Sequence, residues 1–264
     1  MYTDTHVHSS FSGDSDTSPY EQINAAVSLG MEELCFTDHH DHDVISEIDF
    51  ELDIPRYKEE MHRLRDEFSP KIELLTGIEL GLQVKITDYL NELTSKVDFD
   101  YIIGSIHFVD GLDPYYPEFF EKNGSNAYHR YFDEVLECIK NIKCYDSLGH
   151  LDYIVRYGKA HGLSYSYKEY ADCIDPILSI VIDDGKALEC NTGGLSRGLC
   201  EPNPCFDILK RYKELGGELI TLGSDAHSPE TLGFAFEEIG ERLKEIGFTH
   251  YAVYKNRIPH MKKL

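Results

Sequence analysis

Seven times along this chain a short apolar or β-branched run gives way to an amphipathic stretch, and this alternation constrains the fold more than any other feature. The runs lie at 2–7, 33–38, 72–80, 99–107, 145–152, 186–192 and 218–225. The amphipathic stretches lie at 19–29, 55–68, 86–95, 126–141, 166–183, 204–215 and 230–246. Strands that alternate with helices pair in parallel, because each helix carries the chain back to the same end of the sheet. Ser18-Pro19 and Ser228-Pro229 read as helix starts, and Gly30, Gly216 and Gly247 sit where helices should stop. With no internal linker, repeat or low-complexity tract, residues 1–264 read as one domain, a size that suits one closed α/β barrel. An open doubly wound sheet has the same alternation. The lack of a glycine-rich loop after the first run argues against its dinucleotide-binding form. The run 250–256, "HYAVYKN", either adds an eighth strand or packs across the base.

Composition removes several classes of function. The 25 Lys and Arg against 48 Asp and Glu give a formal charge of −23, so no nucleic-acid partner is expected. No apolar run approaches the roughly 18–20 residues of a membrane-spanning helix, and no membrane partner is expected either. "MYTDTHVHSS" lacks the basic-then-apolar pattern of a secretion signal, which makes a cytoplasmic protein the expectation. Seven cysteines without a CxxC pair favour reduced, buried thiols; Cys200 and Cys205 raise a metal-site question, but no second pair stands near them. Oligomeric state leaves no trace in the sequence.

The ends of the strand-like runs carry the chemistry. The first ends in "HVH", with His6 and His8; the second in "TDHH", with Asp38, His39 and His40. The third holds Glu79 in "GIELG", the fourth ends at His107, the fifth contains His150, and the seventh leads into "SDAH", with Asp225 and His227. In a parallel barrel these exits share one rim, where such folds build their sites. Residues two apart on a strand face the same side, so His6 with His8, and Asp225 with His227, can each grip one ion. At roughly four to six ligands per ion this set implies at least two divalent metals, and zinc, manganese and iron all accept mixed imidazole and carboxylate shells. His62, His129, His161, His250 and His260 read as surface or packed residues.

"HVH", "SGDS", "TDHH", "GIELG", "GSIH", "GHLDY" and "GSDAH", spanning residues 6–227 in this order, resemble the motifs of the polymerase and histidinol phosphatase (PHP) family. The resemblance implies a distorted (β/α)7 TIM-like barrel of PHP type with three divalent metal ions. It implies one ion on His6, His8, Glu79 and Asp225, and a second on His107 and His150 with Glu79 as a bridge. The third would lie on His39, His227 and Asp14, where Asp14 takes a place often held by histidine. "GKALECNTGGLSRG" and "EPNPCFDILKRYKELGGE" resemble the histidinol-phosphate phosphatase branch, which implies hydrolysis of a small phosphate monoester to L-histidinol and phosphate in histidine biosynthesis. By the same resemblance Arg156 and Arg197 clamp the phosphate.

In the expected reaction, a hydroxide bridging two ions attacks phosphorus in line, and the arginines hold the non-bridging oxygens. Asp38 and His40, beside a metal ligand, are candidates for orienting the ligands or supplying a proton, with His42 behind them. The stretch 108–125, "FVDGLDPYYPEFFEKNGS", is a candidate lid or a long surface loop. Competing readings are a phosphoesterase acting on nucleotides or phosphotyrosine, an amidohydrolase-type enzyme, whose barrels also begin with HxH, and a non-catalytic metal-binding or polymerase-accessory module.

Overall fold

The computed structural model describes residues 2–264. Its strands are β1 (Asp4–Val7), β2 (Glu33–Phe36), β3 (His39–His40), β4 (Glu73–Gly81), β5 (Tyr101–Ser105), β6 (Ser147–Leu148), β7 (Ala187–Asn191), β8 (Ile220–Gly223), β9 (His250–Lys255) and β10 (Ile258–Lys263). Seven of them stand side by side in the order β1-β2-β4-β5-β6-β7-β8, every pairing parallel. β4 is long enough to serve two neighbours on one side. Its first residues pair with β2 and its later ones with β3, where His39 lies opposite Glu79.

The sheet closes on itself above β1 and β8. Asp225 donates its backbone N–H to His6 O (2.8 Å), His8 donates to Ala226 O (2.9 Å), and Val7 bridges Ala226 in parallel. A nearly closed barrel of seven parallel strands results, and the open-sheet alternative falls away. The apolar core fills the space between strands and helices, while the barrel interior is polar. Low in that interior the Tyr101 hydroxyl pairs with Ser147 and donates to Thr221 Oγ1 (3.1 Å).

Local signals account for most helix boundaries. Ser18 caps Pro19–Ser28 in a reciprocal box with Glu21, and Gly30, Gly216 and Gly247 all take positive φ just past helix ends. The last helix differs from its expected span. Ser228-Pro229 opens only a short turn, because Gly233 and Ala235 adopt left-handed backbone, and the helix runs Phe236–Ile246. Among the described residues no helix is long and apolar enough to cross a membrane.

The run at 250–256 packs across the base. It is β9 of an antiparallel hairpin with β10, whose cations meet carboxylates near the strand starts. Lys255 pairs with Glu33 (2.7 Å) and Glu73 (2.8 Å), Lys262 with Glu33, and Arg257 with Asp146. Tyr254 stacks on Tyr101 with ring centroids 5.2 Å apart, sealing the lower end. β10 exposes nearly all of its side chains and so carries no apolar alternation that would mark it as a strand.

Candidate metal centre

All nine ligands expected from the sequence converge at the carboxyl ends of the strands. Glu79 lies at the middle, fully buried, with its carboxylate oxygens 3.2 Å from His6 Nε2, 2.9 Å from His39 Nδ1, 3.2 Å from His107 Nε2 and 2.9 Å from His150 Nε2. His8 Nε2 stands 3.0 Å from His6 Nε2 and 3.4 Å from Asp225 Oδ1. Asp14 Oδ2 reaches His227 Nε2 (3.1 Å) and approaches His39 Nε2 (3.7 Å). Five groups bring their donor atoms close enough for one ion among the described residues: four in this cluster, His6–His8–Asp225, His6–Glu79–His150, His39–Glu79–His107 and His8–His39–His227, and one outside it, His40–His42–Glu51.

The outer nitrogens of three of these rings, His6, His107 and His8, are held by a surrounding set of partners. His6 Nδ1 lies 2.6 Å from Glu189 Oε1, His107 Nδ1 lies 2.9 Å from Asp41 Oδ1, and His8 Nδ1 lies 3.0 Å from Ser12 Oγ. Ser12 in turn donates to Asp38 Oδ1 (2.8 Å) and accepts the His39 N–H (3.0 Å). A ring that donates from Nδ1 presents a lone pair at Nε2, the arrangement in which histidine binds a metal. Gly81 makes room for this shell, since a Cβ there would lie 1.9 Å from Asp41 Oδ1.

The donor set fits cations. The Nε2 atoms of His6 and His8 face one another at 3.0 Å although each ring already has a partner at Nδ1. With both rings neutral and donating from Nδ1, the two Nε2 lone pairs repel unless a cation stands between them. Glu79 Oε2 is buried without a hydrogen bond, as is His39 Nδ1. Burial raises the pKa of Glu79, but the imidazoles of His6, His107 and His39 outweigh it and hold the carboxyl well below the usual range. Burial likewise opposes ionisation of Asp225, yet Arg156 and Arg197 keep it well below its ordinary value. Burial, then the neighbouring His227 and His39, push His8 down, favouring the neutral ring that can act as a ligand.

A cavity of about 510 Å³ opens above the cluster, and both arginines line it. Arg156 is buried and makes three hydrogen bonds of 2.9 Å, from Nε to Asn203, Nη1 to Asp225 and Nη2 to Asn191. Two of its five N–H groups stay free of these bonds. Arg197 is half exposed and touches the network only through Asp225, at 3.5 Å. The 108–125 stretch supplies Phe108, Asp113, Tyr115 and Tyr116 to the cavity wall, anchored by a short helix, Pro117–Asn123, that buries Phe119 and Phe120.

Asp38 and His40 do not line the cavity, and of the two roles expected for them, orienting the ligands or supplying a proton, the geometry around Asp38 suits orientation. Asp38 is consumed by the N–H and hydroxyl groups of Ser9 and Ser12, so it acts on the site through Ser12. His40 points the other way: its Nδ1 accepts the Leu52 N–H (3.1 Å) and its Nε2 meets the Tyr89 hydroxyl (2.8 Å). His42 stands with it, paired to Glu51 at 2.8 Å. Cys200 is exposed and Cys205 buried, and no cysteine joins a metal-sized group among the described residues. Sequence reasoning passed over Glu189, Asp41 and Ser12. Only Glu189 left a mark, a carboxylate flanked by apolar residues inside "KALECNT".

A family model described as "PHP domain" matches residues 4–193. The chain belongs to the PHP family. Among PHP relatives, the "Histidinol-phosphatase" of Lactococcus lactis subsp. lactis (strain IL1403) is 33% identical over 95% of this chain and 93% of its own. A "Probable histidinol-phosphatase" of Clostridium acetobutylicum is 34% identical over 90% of this chain and 91% of its own. The crystal structure of histidinol phosphate phosphatase from Lactococcus lactis, complexed with Zn, L-histidinol and phosphate, matches with a TM-score of 0.89 at 30% identity over 98% of both chains. The barrel that carries the cluster and the cavity therefore shares its framework with a phosphatase.

Proposed function

We propose that this chain is a metal-dependent histidinol-phosphatase of the cytoplasm that hydrolyses L-histidinol phosphate at the cluster, using three divalent ions drawn from zinc, manganese or iron. The observation that carries the reading is the match, over 98% of both chains, to a phosphatase whose crystals hold Zn, L-histidinol and phosphate. His6, His8, Glu79 and Asp225 would hold one ion, Glu79, His107 and His150 a second, and Asp14, His39 and His227 a third. When bound, such ions supply positive charge to phosphate oxygens and acidify a water for attack on phosphorus.

The chain's own residues do the rest. Arg197 is free to swing onto the phosphate, and Arg156 can offer its two uncommitted N–H groups while it holds Asp225 in place. Also on the cavity lining, Asp113 and Glu47 have no Lys or Arg partner within salt-bridge distance among the described residues, and Phe108, Tyr115 and Tyr116 line the same cavity. Carboxylates and aromatic rings that share a cavity with a pair of arginines suit an ester whose alcohol carries a cationic amine and a flat ring.

The test is phosphate release from L-histidinol phosphate, nucleoside monophosphates and phosphotyrosine, side by side, with elemental analysis of freshly purified protein. Histidinol phosphate should give the highest kcat/KM by at least about tenfold, roughly 1.4 kcal/mol of preferential transition-state binding. A higher kcat/KM on a nucleotide or phosphotyrosine would overturn the substrate assignment.

A further inference from the structure

Of the seven barrel strands, β7 alone brings no expected ligand to the rim; it contributes Glu189 one layer beneath. This carboxylate is completely buried and accepts only. Its Oε1 lies 2.6 Å from His6 Nδ1, and its Oε2 takes the His150 N–H (2.9 Å) and the Asn191 side-chain N–H (3.1 Å). Asn191 extends the connection, because its Oδ1 accepts from Arg156 Nη2 and Arg156 Nη1 donates to Asp225 Oδ2, each at 2.9 Å. His6 and Asp225, two members of the His6–His8–Asp225 group, are thus tied to one carboxylate from opposite sides. The backbone is shaped around this contact. A Cβ at Gly223 would lie 2.4 Å from Glu189 Oε1 and 2.4 Å from His6 Cβ, so no side chain fits there.

We propose that Glu189 is a positioning residue that holds His6 in its Nδ1–H form and braces Asp225 through Asn191 and Arg156, thereby setting the affinity of the His6–His8–Asp225 group for its ion. The inference rests on the cluster being a metal centre. Every partner of Glu189 is a donor, so an amide in its place must set its own NH2 against one of them. Turned toward His6, the amide forces the proton onto Nε2 and removes the lone pair the ion needs. Turned toward His150 and Asn191, it breaks the brace on Asp225.

The experiment is a zinc titration of metal-free, full-length wild type and Glu189→Gln in the presence of a competing chelator, alongside melting of the metal-free proteins. One ion per chain should bind about 10–100-fold more weakly in Glu189→Gln, with the remaining zinc binding unchanged. Binding of every ion within twofold of wild type overturns the proposal, even if the metal-free variant melts lower, because that pattern assigns Glu189 to packing alone. Wild type that takes up no zinc overturns the metal-centre reading and this inference together. Should Glu189→Gln fail to fold, nitrogen NMR of zinc-loaded, 15N-histidine-labelled wild type decides. A proton on His6 Nδ1 with Nε2 toward the metal supports the assignment, and the opposite tautomer refutes it.

Discussion

Two arginines line one cavity, and the structure assigns them opposite energetic weights. Arg156 is 5% exposed and makes three hydrogen bonds in three directions, to Asn203, Asp225 and Asn191. Replacing it with Lys keeps the charge, but a single ammonium can follow only one direction. With Nζ drawn to Asp225, the buried oxygen of Asn203 loses its donor, at about 1–3 kcal/mol, while that of Asn191 keeps only the Gly193 N–H (2.9 Å) and gives up about 0.5–1.5 kcal/mol. The guanidinium face over Tyr153, 5.1 Å from the ring centroid, is lost as well. Arg156→Lys should therefore lower stability by about 2–4 kcal/mol, which for a domain of this length is a fall in Tm of roughly 4–12 °C. Arg197→Lys gives up one 3.5 Å contact from a side chain 46% exposed, worth about 0–1 kcal/mol after solvent screening. Urea unfolding of both variants and wild type at saturating zinc checks the contrast. A midpoint for Arg156→Lys within about 1 kcal/mol of that for Arg197→Lys would show that the three-way network carries no weight.

Asp225→Ala and His8→Ala should each abolish turnover with little change in far-UV circular dichroism; wild-type turnover by either at matched metal content would remove it from the centre. Arg197→Ala should raise KM for phosphate esters by about 10-fold or more, through loss of a charge-assisted contact worth roughly 1.5–3 kcal/mol, and unchanged kinetics would exclude it from the phosphate clamp. Asp113→Asn should raise KM for L-histidinol phosphate while leaving kcat/KM on an ester without an amine, such as p-nitrophenyl phosphate, within about twofold. Equal losses on both esters would mean that Asp113 does not read the amine.

The rim was legible in the sequence because its ligands sit at strand exits, where chain order alone says they meet. His6, His8, Glu79, His107, His150 and Asp225 needed only the rule that parallel strands end on one side. Direction was harder to read than position. Asp38, His39 and His40 are consecutive, yet Asp38 turns beneath the loop after β1, His39 enters the cluster and His40 faces Tyr89. The cause is the break between β2 and β3, where chain leaves the first half of β4 and rejoins the second, and no residue pattern announces it. β10 escaped for a different reason. Its pairing is made by backbone alone along an exposed edge, so it imposes no alternation on the side chains.

The polar interior also explains why so much of this site lies one contact away from the expected ligands. Many α/β barrels fill their centres with layers of branched apolar side chains. Here the upper interior holds imidazoles and carboxylates, and a buried polar network is stable only when its members are satisfied, because a lone unpaired group in low dielectric is costly. Beneath the rim that condition is met: Glu189 faces three donors, and Asp38 is surrounded by the N–H and hydroxyl groups of Ser9 and Ser12. At the rim it is not, for Glu79 Oε2 and His39 Nδ1 are buried without hydrogen bonds although 2.9 Å apart. A fold that satisfies its lower polar layer and leaves unmatched lone pairs at the layer above has its rigidity below and its affinity for positive charge on top. Cations bound at the rim would complete the network, and the carboxylates underneath would decide which ring nitrogens are available to receive them.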